Sequence, residues 1–229
     1  MLEVAGLNQY YGEGHILRDL TLDVPDGSCT CLMGRNGVGK TTLLRAIMGL
    51  LPSRSGAIRF RGEDLAGRPP ELRARKGIGY VPQGREIFPE LTVSENLELS
   101  AIAAGDGKVP ARIYELFPVL RDMAKRRGGD LSGGQQQQLA IGRALAFHPK
   151  LLILDEPTEG IQPNIVSDIA SILRKLNEEE KLTILLVEQK LPFARKVATD
   201  FVIMDRGSAV AKGGISELTP ELVSRHLTV

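Results

Sequence analysis

Several absences narrow the field before any motif is read. The formal net charge is only +1, with 29 lysines and arginines against 28 aspartates and glutamates. No strong field therefore recruits nucleic acid or anionic lipid. No apolar stretch approaches the roughly 20 residues that a membrane-spanning helix requires. The start, Met1-Leu2-Glu3-Val4, lacks the basic residues and apolar run of a secretion signal. A cytoplasmic protein is expected, with any membrane role exercised through a partner. Cysteine occurs twice, at Cys29 and Cys31, two apart in an apolar strand and so on one face. That placement suits neither an unstrained disulfide nor a metal site without further ligands. Both read as small core residues in a reducing compartment. There is no internal repeat, no low-complexity segment and no long linker.

What is present is an ordinary globular composition: 42% hydrophobic and 25% charged over 229 residues, enough for one domain with a sizeable core and an inserted subdomain. Leu20, Leu22 and Val24 alternate with Thr21 and Asp23, and Pro25-Asp26-Gly27 makes a turn. Ser28 to Met33 is a short buried strand, followed by a glycine-rich loop and a helix through about Leu50. Ile58 and Phe60 mark an alternating strand, and Ile78 to Val81 another. From Arg85 to Phe147 the pattern is helical. Thr92-Val93-Ser94-Glu95 and Ser132-Gly133-Gly134-Gln135 are both capping boxes, and His148-Pro149 is a stop. Between the two boxes, Lys125-Arg126-Arg127 reads as a solvated turn. Strands then resume at Leu151 to Asp155, Thr183 to Val187 and Phe201 to Met204. Pro163 opens a helix whose apolar stripe is Ile165, Ile169, Ile172, Leu173 and Leu176. The expectation is an α/β core, residues 1–84 and 148–229 of a single domain, interrupted by a helical subdomain at 85–147.

Gly34-Arg35-Asn36-Gly37-Val38-Gly39-Lys40-Thr41, followed by Thr42, matches G-x-x-x-x-G-K-[ST] between a strand and a helix. Its glycines let backbone amides face phosphate oxygens, Lys40 supplies charge to the β- and γ-phosphates, and Thr41 offers a hydroxyl to Mg²⁺. Leu151 to Asp155 is an apolar strand ending in an acid. Paired with the loop, Asp155 becomes the partner of Mg²⁺ through a water, and Glu156 a general base that orients the attacking water. Ser132, Gly133, Gly134 and Gln135 form a second helix-opening anion nest.

This motif order resembles the ATP-binding-cassette (ABC) ATPase superfamily over essentially the whole chain. The resemblance implies a P-loop core with an antiparallel β subdomain and the helical insert, using ATP and Mg²⁺. Gln83, in Tyr80-Val81-Pro82-Gln83, resembles the glutamine that contacts Mg²⁺ and the water. Tyr11 resembles the aromatic that stacks on adenine, a strand-end core tyrosine being the other reading. Leu131 to Gln135 resembles the signature that meets the γ-phosphate held by an opposite subunit, so each half-site is completed by a second ATPase, whether a copy or a homologue. An isolated subunit is then expected to turn over slowly.

Two departures stand out. Gln189, in Leu186-Val187-Glu188-Gln189, takes the place of the usual histidine and cannot accept a proton, which shifts weight to Glu156. Glu159-Gly160-Ile161-Gln162 replaces the usual serine-alanine-leucine-aspartate. These stretches resemble the ATPases of branched-chain amino-acid and urea/amide importers. Gln9-Tyr10-Tyr11-Gly12, His15-Ile16-Leu17, Gly34-Arg35-Asn36-Gly37 and Gly84-Arg85-Glu86-Ile87-Phe88 are closest to the urea-type subunit. The resemblance implies a peripheral subunit on the cytoplasmic face of the inner membrane, bound to permease subunits and served indirectly by a periplasmic binding protein. Docking is expected at a cleft near Arg85 to Leu91, with Phe88 either an apolar anchor or a core residue. A soluble ABC protein of DNA repair or ribosomes is disfavoured by the absence of coiled-coil insertions and basic tracts. A GTP switch is disfavoured by the absence of Asn-Lys-x-Asp.

Overall fold

Alternation of apolar and polar residues builds the first hairpin, described in a computed structural model that covers residues 1–227. β1 (Leu2–Tyr11) pairs antiparallel with β2 (Gly14–Val24). Leu20, Leu22 and Val24 are buried while Thr21 and Asp23 face outward, the two-residue period of a half-buried strand. β3 (Cys29–Met33) is buried along its whole length. Both cysteines are free, and burial pushes the Cys29 thiol up to about 12, so they sit in the core as unreactive thiols.

α1 (Lys40–Ile47) follows the glycine-rich loop. It stops about three residues short of the expected Leu50. Gly49 turns to φ 74°, and its amide bonds Ala46 O at 3.1 Å while that of Leu50 bonds Arg45 O at 2.9 Å. This is a Schellman ending, which a residue with a β-carbon closes at greater cost. β4 (Ser55–Phe60), the short β5 (Glu63–Asp64) and α2 (Pro70–Arg75) lead to β6 (Ile78–Val81). The next helices are α3 (Val93–Ala104), α4 (Ala111–Leu116), α5 (Pro118–Asp122) and α6 (Gly133–Leu145). The chain then returns as β7 (Leu151–Asp155), α7 (Pro163–Glu178), β8 (Thr183–Val187) and α8 (Leu191–Val197), ending with β9 (Asp200–Asp205), β10 (Ser208–Gly214) and α9 (Pro220–His226). Both capping boxes close as the spacing predicts, at Thr92/Glu95 and Ser132/Gln135. Residues 85–92 are not helical, however. Arg85 and Glu86 take φ of 73° and 47°, which breaks the helical pattern before Thr92 caps α3. Sequence reading also left β5 and β10 unmarked: β5 is two residues long, and β10 (Ser-Ala-Val-Ala-Lys-Gly-Gly) has only a partly buried face.

The strands form two sheets, β2-β1-β4-β5 and β10-β9-β3-β8-β7-β6. In the second, β9, β3, β8, β7 and β6 run parallel and β10 is antiparallel at the edge. A parallel sheet buried on both faces needs continuous apolar strands, which β7 (Leu-Leu-Ile-Leu-Asp) and β8 (Thr-Ile-Leu-Leu-Val) supply. Leu151 and Ile153 pack with the antiparallel sheet and α1. Leu152 and Leu154 pack with the helices on the other face.

Arg73 ties this core to the loop helix. Its guanidinium, 6% exposed, donates to Ala46 O (2.8 Å) and Ile47 O (2.7 Å) at the end of α1, and to Leu65 O and Arg68 O, each at 2.8 Å. The fork adds donors to the last carbonyls of the helix and sits at the negative pole of its dipole. Arg73→Lys loses the fork. Urea denaturation is expected to show a loss of about 2 kcal/mol for Arg73→Lys and about 3 kcal/mol for Arg73→Ala; an unchanged midpoint would contradict this role.

Candidate active site

Four neighbouring parallel strands deliver the site. The glycine-rich loop leaves the carboxyl end of β3, Gln189 follows β8, Asp155 and Glu156 end β7, and Gln83 follows β6. Ligands of open α/β sheets bind at such carboxyl ends. The cleft there has a volume of about 430 Å³, and its lining includes Tyr11, Asn36, Gly37, Gly39, Lys40, Thr41, Thr42, Gln83, Glu156 and Glu159.

The loop's shape rests on Gly34. A β-carbon at this position would fall 2.5 Å from Met204 O, so only glycine lets the chain leave β3 alongside β9. Arg35 and Val38 lie within the same turn, between Gly34 and the start of α1. Lys40, the first residue of α1, is 5% exposed and folds back over the loop. Its Nζ donates to Gly34 O (2.8 Å) and Arg35 O (3.0 Å) and lies 3.9 Å from Glu156 Oε1. Burial lowers the lysine pKa, and Glu156 and Asp155 oppose that shift.

The acids beneath it are unequal. Asp155 is 2% exposed; Oδ2 accepts from Thr41 Oγ1 at 3.1 Å, while Oδ1 is buried without a partner. Burial is the main cause that pushes its pKa up to about 6. Glu156 takes φ 48°, a costly conformation for a residue with a side chain, and its Oε1 accepts from Gln189 Nε2 at 2.6 Å. The same amide nitrogen reaches Asn36 Oδ1 at 2.7 Å. Gln189 is thus brought against both the loop and Glu156. Its backbone is pinned by Glu188, a buried carboxylate that accepts from Gln189 N (2.8 Å), Lys190 N (2.9 Å) and Thr158 Oγ1 (2.7 Å).

Gln83 donates to Glu159 Oε2 at 2.9 Å. Glu159 was marked in the sequence only as a departure and not as a residue of the cleft. Its signal was an acid placed one turn beyond Asp155-Glu156. Tyr11 is 48% exposed at the cleft's edge, which overturns the reading of a strand-end core tyrosine; the neighbouring Tyr10 is the ring that stacks, on His15. Ser132, Gly133, Gly134 and Gln135 do not reach this cleft. Ser132 and Gln135 line a different hollow, with Gln162 and Ile165, and Gly133 lies beside the Arg85 guanidinium. Phe88 is not a core residue either: it is 44% exposed, with Arg143 stacked 4.4 Å above its ring. The groove near Arg85 and Glu86 is lined by Leu50, Tyr80, Pro82 and Phe147.

The residues fit a small hard cation. The orphaned Asp155 oxygen, the Thr41 hydroxyl and the Gln83 carbonyl are all oxygen donors of the kind Mg²⁺ prefers. Among the described residues no cluster of three His, Cys, Asp or Glu side chains forms a metal site by itself.

Fold and site together define a P-loop ATPase of the ATP-binding-cassette class. Residues 17–159 match the family described as ABC transporter, and the chain belongs to that family as an ATP-binding subunit. It is 41% identical over 213 residues to the high-affinity branched-chain amino acid transport ATP-binding protein BraG of Pseudomonas aeruginosa, covering 92% of this chain and 91% of that one. It is 39% identical over 221 residues to a branched-chain amino acid transport ATP-binding protein, LivF, of Archaeoglobus fulgidus, covering 95% and 94%. A dimeric ATP-binding cassette in a post-hydrolysis state bound to ADP and Pi superposes with a TM-score of 0.85 at 26% identity, covering 94% of this chain and 99% of that one.

Asp155 provides a stability test. An acid whose folded pKa is raised contributes stability below its ordinary value near 4 and loses it as pH rises through about 6. Above that range the nucleotide-free chain carries an uncompensated charge. Asp155→Asn is therefore expected to raise the melting temperature at pH 7.5 by about 5 °C, corresponding to about 2 kcal/mol, with the gain vanishing near pH 4. Calorimetry that shows the variant less stable at pH 7.5 would contradict the assignment.

Proposed function

We propose that this chain is the ATP-hydrolysing, energy-coupling subunit of an importer that carries urea or short amides. The observation that carries the ATPase reading is the convergence of Lys40, Thr41–Asp155 and Glu156 at adjacent strand ends. Lys40 and the loop amides would hold the phosphates, and Thr41, Gln83 and Asp155 would hold Mg²⁺ beside them. When bound, Mg²⁺ neutralises charge on the phosphate oxygens. Glu156 orients and deprotonates the attacking water, with Gln189 fixing its carboxylate. Tyr11 stacks on the adenine.

The anion nest at Ser132 to Gln135 opens on a separate surface, which supports a paired arrangement in which it meets the γ-phosphate held by a second ATPase, a copy or a homologue. Residues 85–147 act as the inserted unit of a single domain whose core is 1–84 and 148–229. The groove beside Arg85 and Glu86 receives the membrane permease, with Phe88 an exposed contact at its margin. Among the described residues no helix is long and apolar enough to cross a membrane, in keeping with a peripheral subunit on the cytoplasmic face. A periplasmic binding protein delivers the solute to the permease.

The urea reading is supported by the Gln9 to Gly12, His15 to Leu17, Gly34 to Gly37 and Gly84 to Phe88 stretches, whereas Glu159 to Gln162 is shared by both importer groups. A second reading, branched-chain amino-acid import, is supported by BraG and LivF. Labelled urea and leucine uptake in a deletion strain separates the two. Urea uptake is expected to fall with leucine uptake intact; the reverse overturns the urea reading. For the chemistry, Glu156→Gln is expected to bind ATP, accumulate as a closed dimer in light scattering, and lose turnover about 100-fold or more. Turnover at the wild-type rate would remove Glu156 from the base role.

A further inference from the structure

The turn after β7 carries a second carboxylate, Glu159, into the cleft beside Glu156. Glu159 N bonds Glu156 O at 3.2 Å, so one tight turn sets both side chains against the same space. Two consecutive grips from the segment after β6 hold it there. Gln83 Nε2 donates to Glu159 Oε2 at 2.9 Å, and Arg85 Nη2 donates to Glu159 O at 3.4 Å. Arg85 also reaches Gln136 Oε1 on α6 at 3.2 Å through Nη1. The post-β6 segment, the post-β7 turn and the signature helix are thus joined at this residue.

The charges make the arrangement conditional. Lys40, Glu156 and Glu159 line one cleft, and the buried Asp155 feels all three charges. The Gln83 amide donates to Glu159 at the wall of the cleft that Lys40 and Thr41 also line, so that donor is engaged with the post-β7 turn. An entering polyanion is repelled by the Glu159 carboxylate, and a cation arriving with it attracts the Gln83 carbonyl and so draws the side chain off the turn. Both effects favour breaking the Gln83–Glu159 bond.

We propose that Glu159 is a positioning residue that holds Gln83 on the post-β7 turn until Mg·ATP displaces it, so that it sets nucleotide affinity through Gln83. The inference rests on the assignment of Gln83 to the Mg²⁺ side of the occupied site. Both side chains are exposed, so the bond is screened and its effect is modest.

The test is a double-mutant cycle on the full chain. It has no tryptophan, so a fluorescent ATP analogue reports binding with little protein background. With Mg²⁺ present, Glu159→Ala is expected to tighten binding about three- to ten-fold in the wild-type background and to have no effect in a Gln83→Ala background. An unchanged or weaker affinity in Glu159→Ala overturns the proposal. An equal gain in both backgrounds also overturns it, because charge repulsion without Gln83 then accounts for the effect. Glu159→Gln keeps an acceptor for Gln83 and is expected to recover part of the wild-type affinity; a gain as large as that of Glu159→Ala counts against the latch. Failure of the underlying assignment reads differently. A Gln83→Ala chain whose affinity and Mg²⁺ requirement match wild type removes Gln83 from the cation, and the inference with it.

Discussion

One buried ammonium organises the active end of this molecule. Lys40 lies at the first turn of α1, where the dipole already favours negative charge, and its two shortest contacts are carbonyls of its own loop, Gly34 and Arg35. The carboxylates of Glu156, Asp155 and Glu188 act on it from nearby. Without a ligand the arrangement is unsatisfied: Asp155 Oδ1 has no partner, and Glu156 is held in a strained backbone conformation. A bound triphosphate would accept hydrogen bonds from the Lys40 ammonium, and a cation bound with it would meet the open Asp155 oxygen. The parallel sheet supplies the precision, because four adjacent strands end at the same level.

The departures from the expected motif acquire physical content in the structure. Gln189 uses one amide nitrogen to reach both Glu156 and Asn36. A glutamine does this without a titration near neutral pH, so the geometry of Glu156 is not tied to protonation at this position. Glu188 next to it is satisfied by three donors and fixes the turn. Glu159 brings a carboxylate where the sequence pattern led one to expect a serine, and it lines the cleft while staying exposed to solvent.

Much of this was legible in the sequence because local chemistry decided it. The loop Gly34 to Thr41, the strand Leu151 to Asp155 and both capping boxes depend on residues a few positions apart, and they fold as their spacing implies. What was not legible depends on distant partners. The end of α1 needed Gly49 together with Arg73 from α2. The non-helical stretch at 85–92 follows from Arg85 and Glu86 in left-handed conformations, which no periodicity announces. β10 is an edge strand with weak alternation, and it is specified by pairing with β9. Tyr11 and Phe88 were each left open between core and surface, and tertiary packing exposes both. The meeting of Gln83 with Glu159 joins two segments 76 positions apart, and only the folded chain brings them together.

The central claim is that Lys40 is the cation on which phosphate binding turns. Calorimetric titration of Mg·ATP into the wild-type chain and into Lys40→Ala tests it most directly. The account predicts measurable binding to the wild type and a loss of affinity of about 100-fold or more in the variant, as expected for removing a buried charge-assisted contact. Equal affinities for the two chains would contradict it.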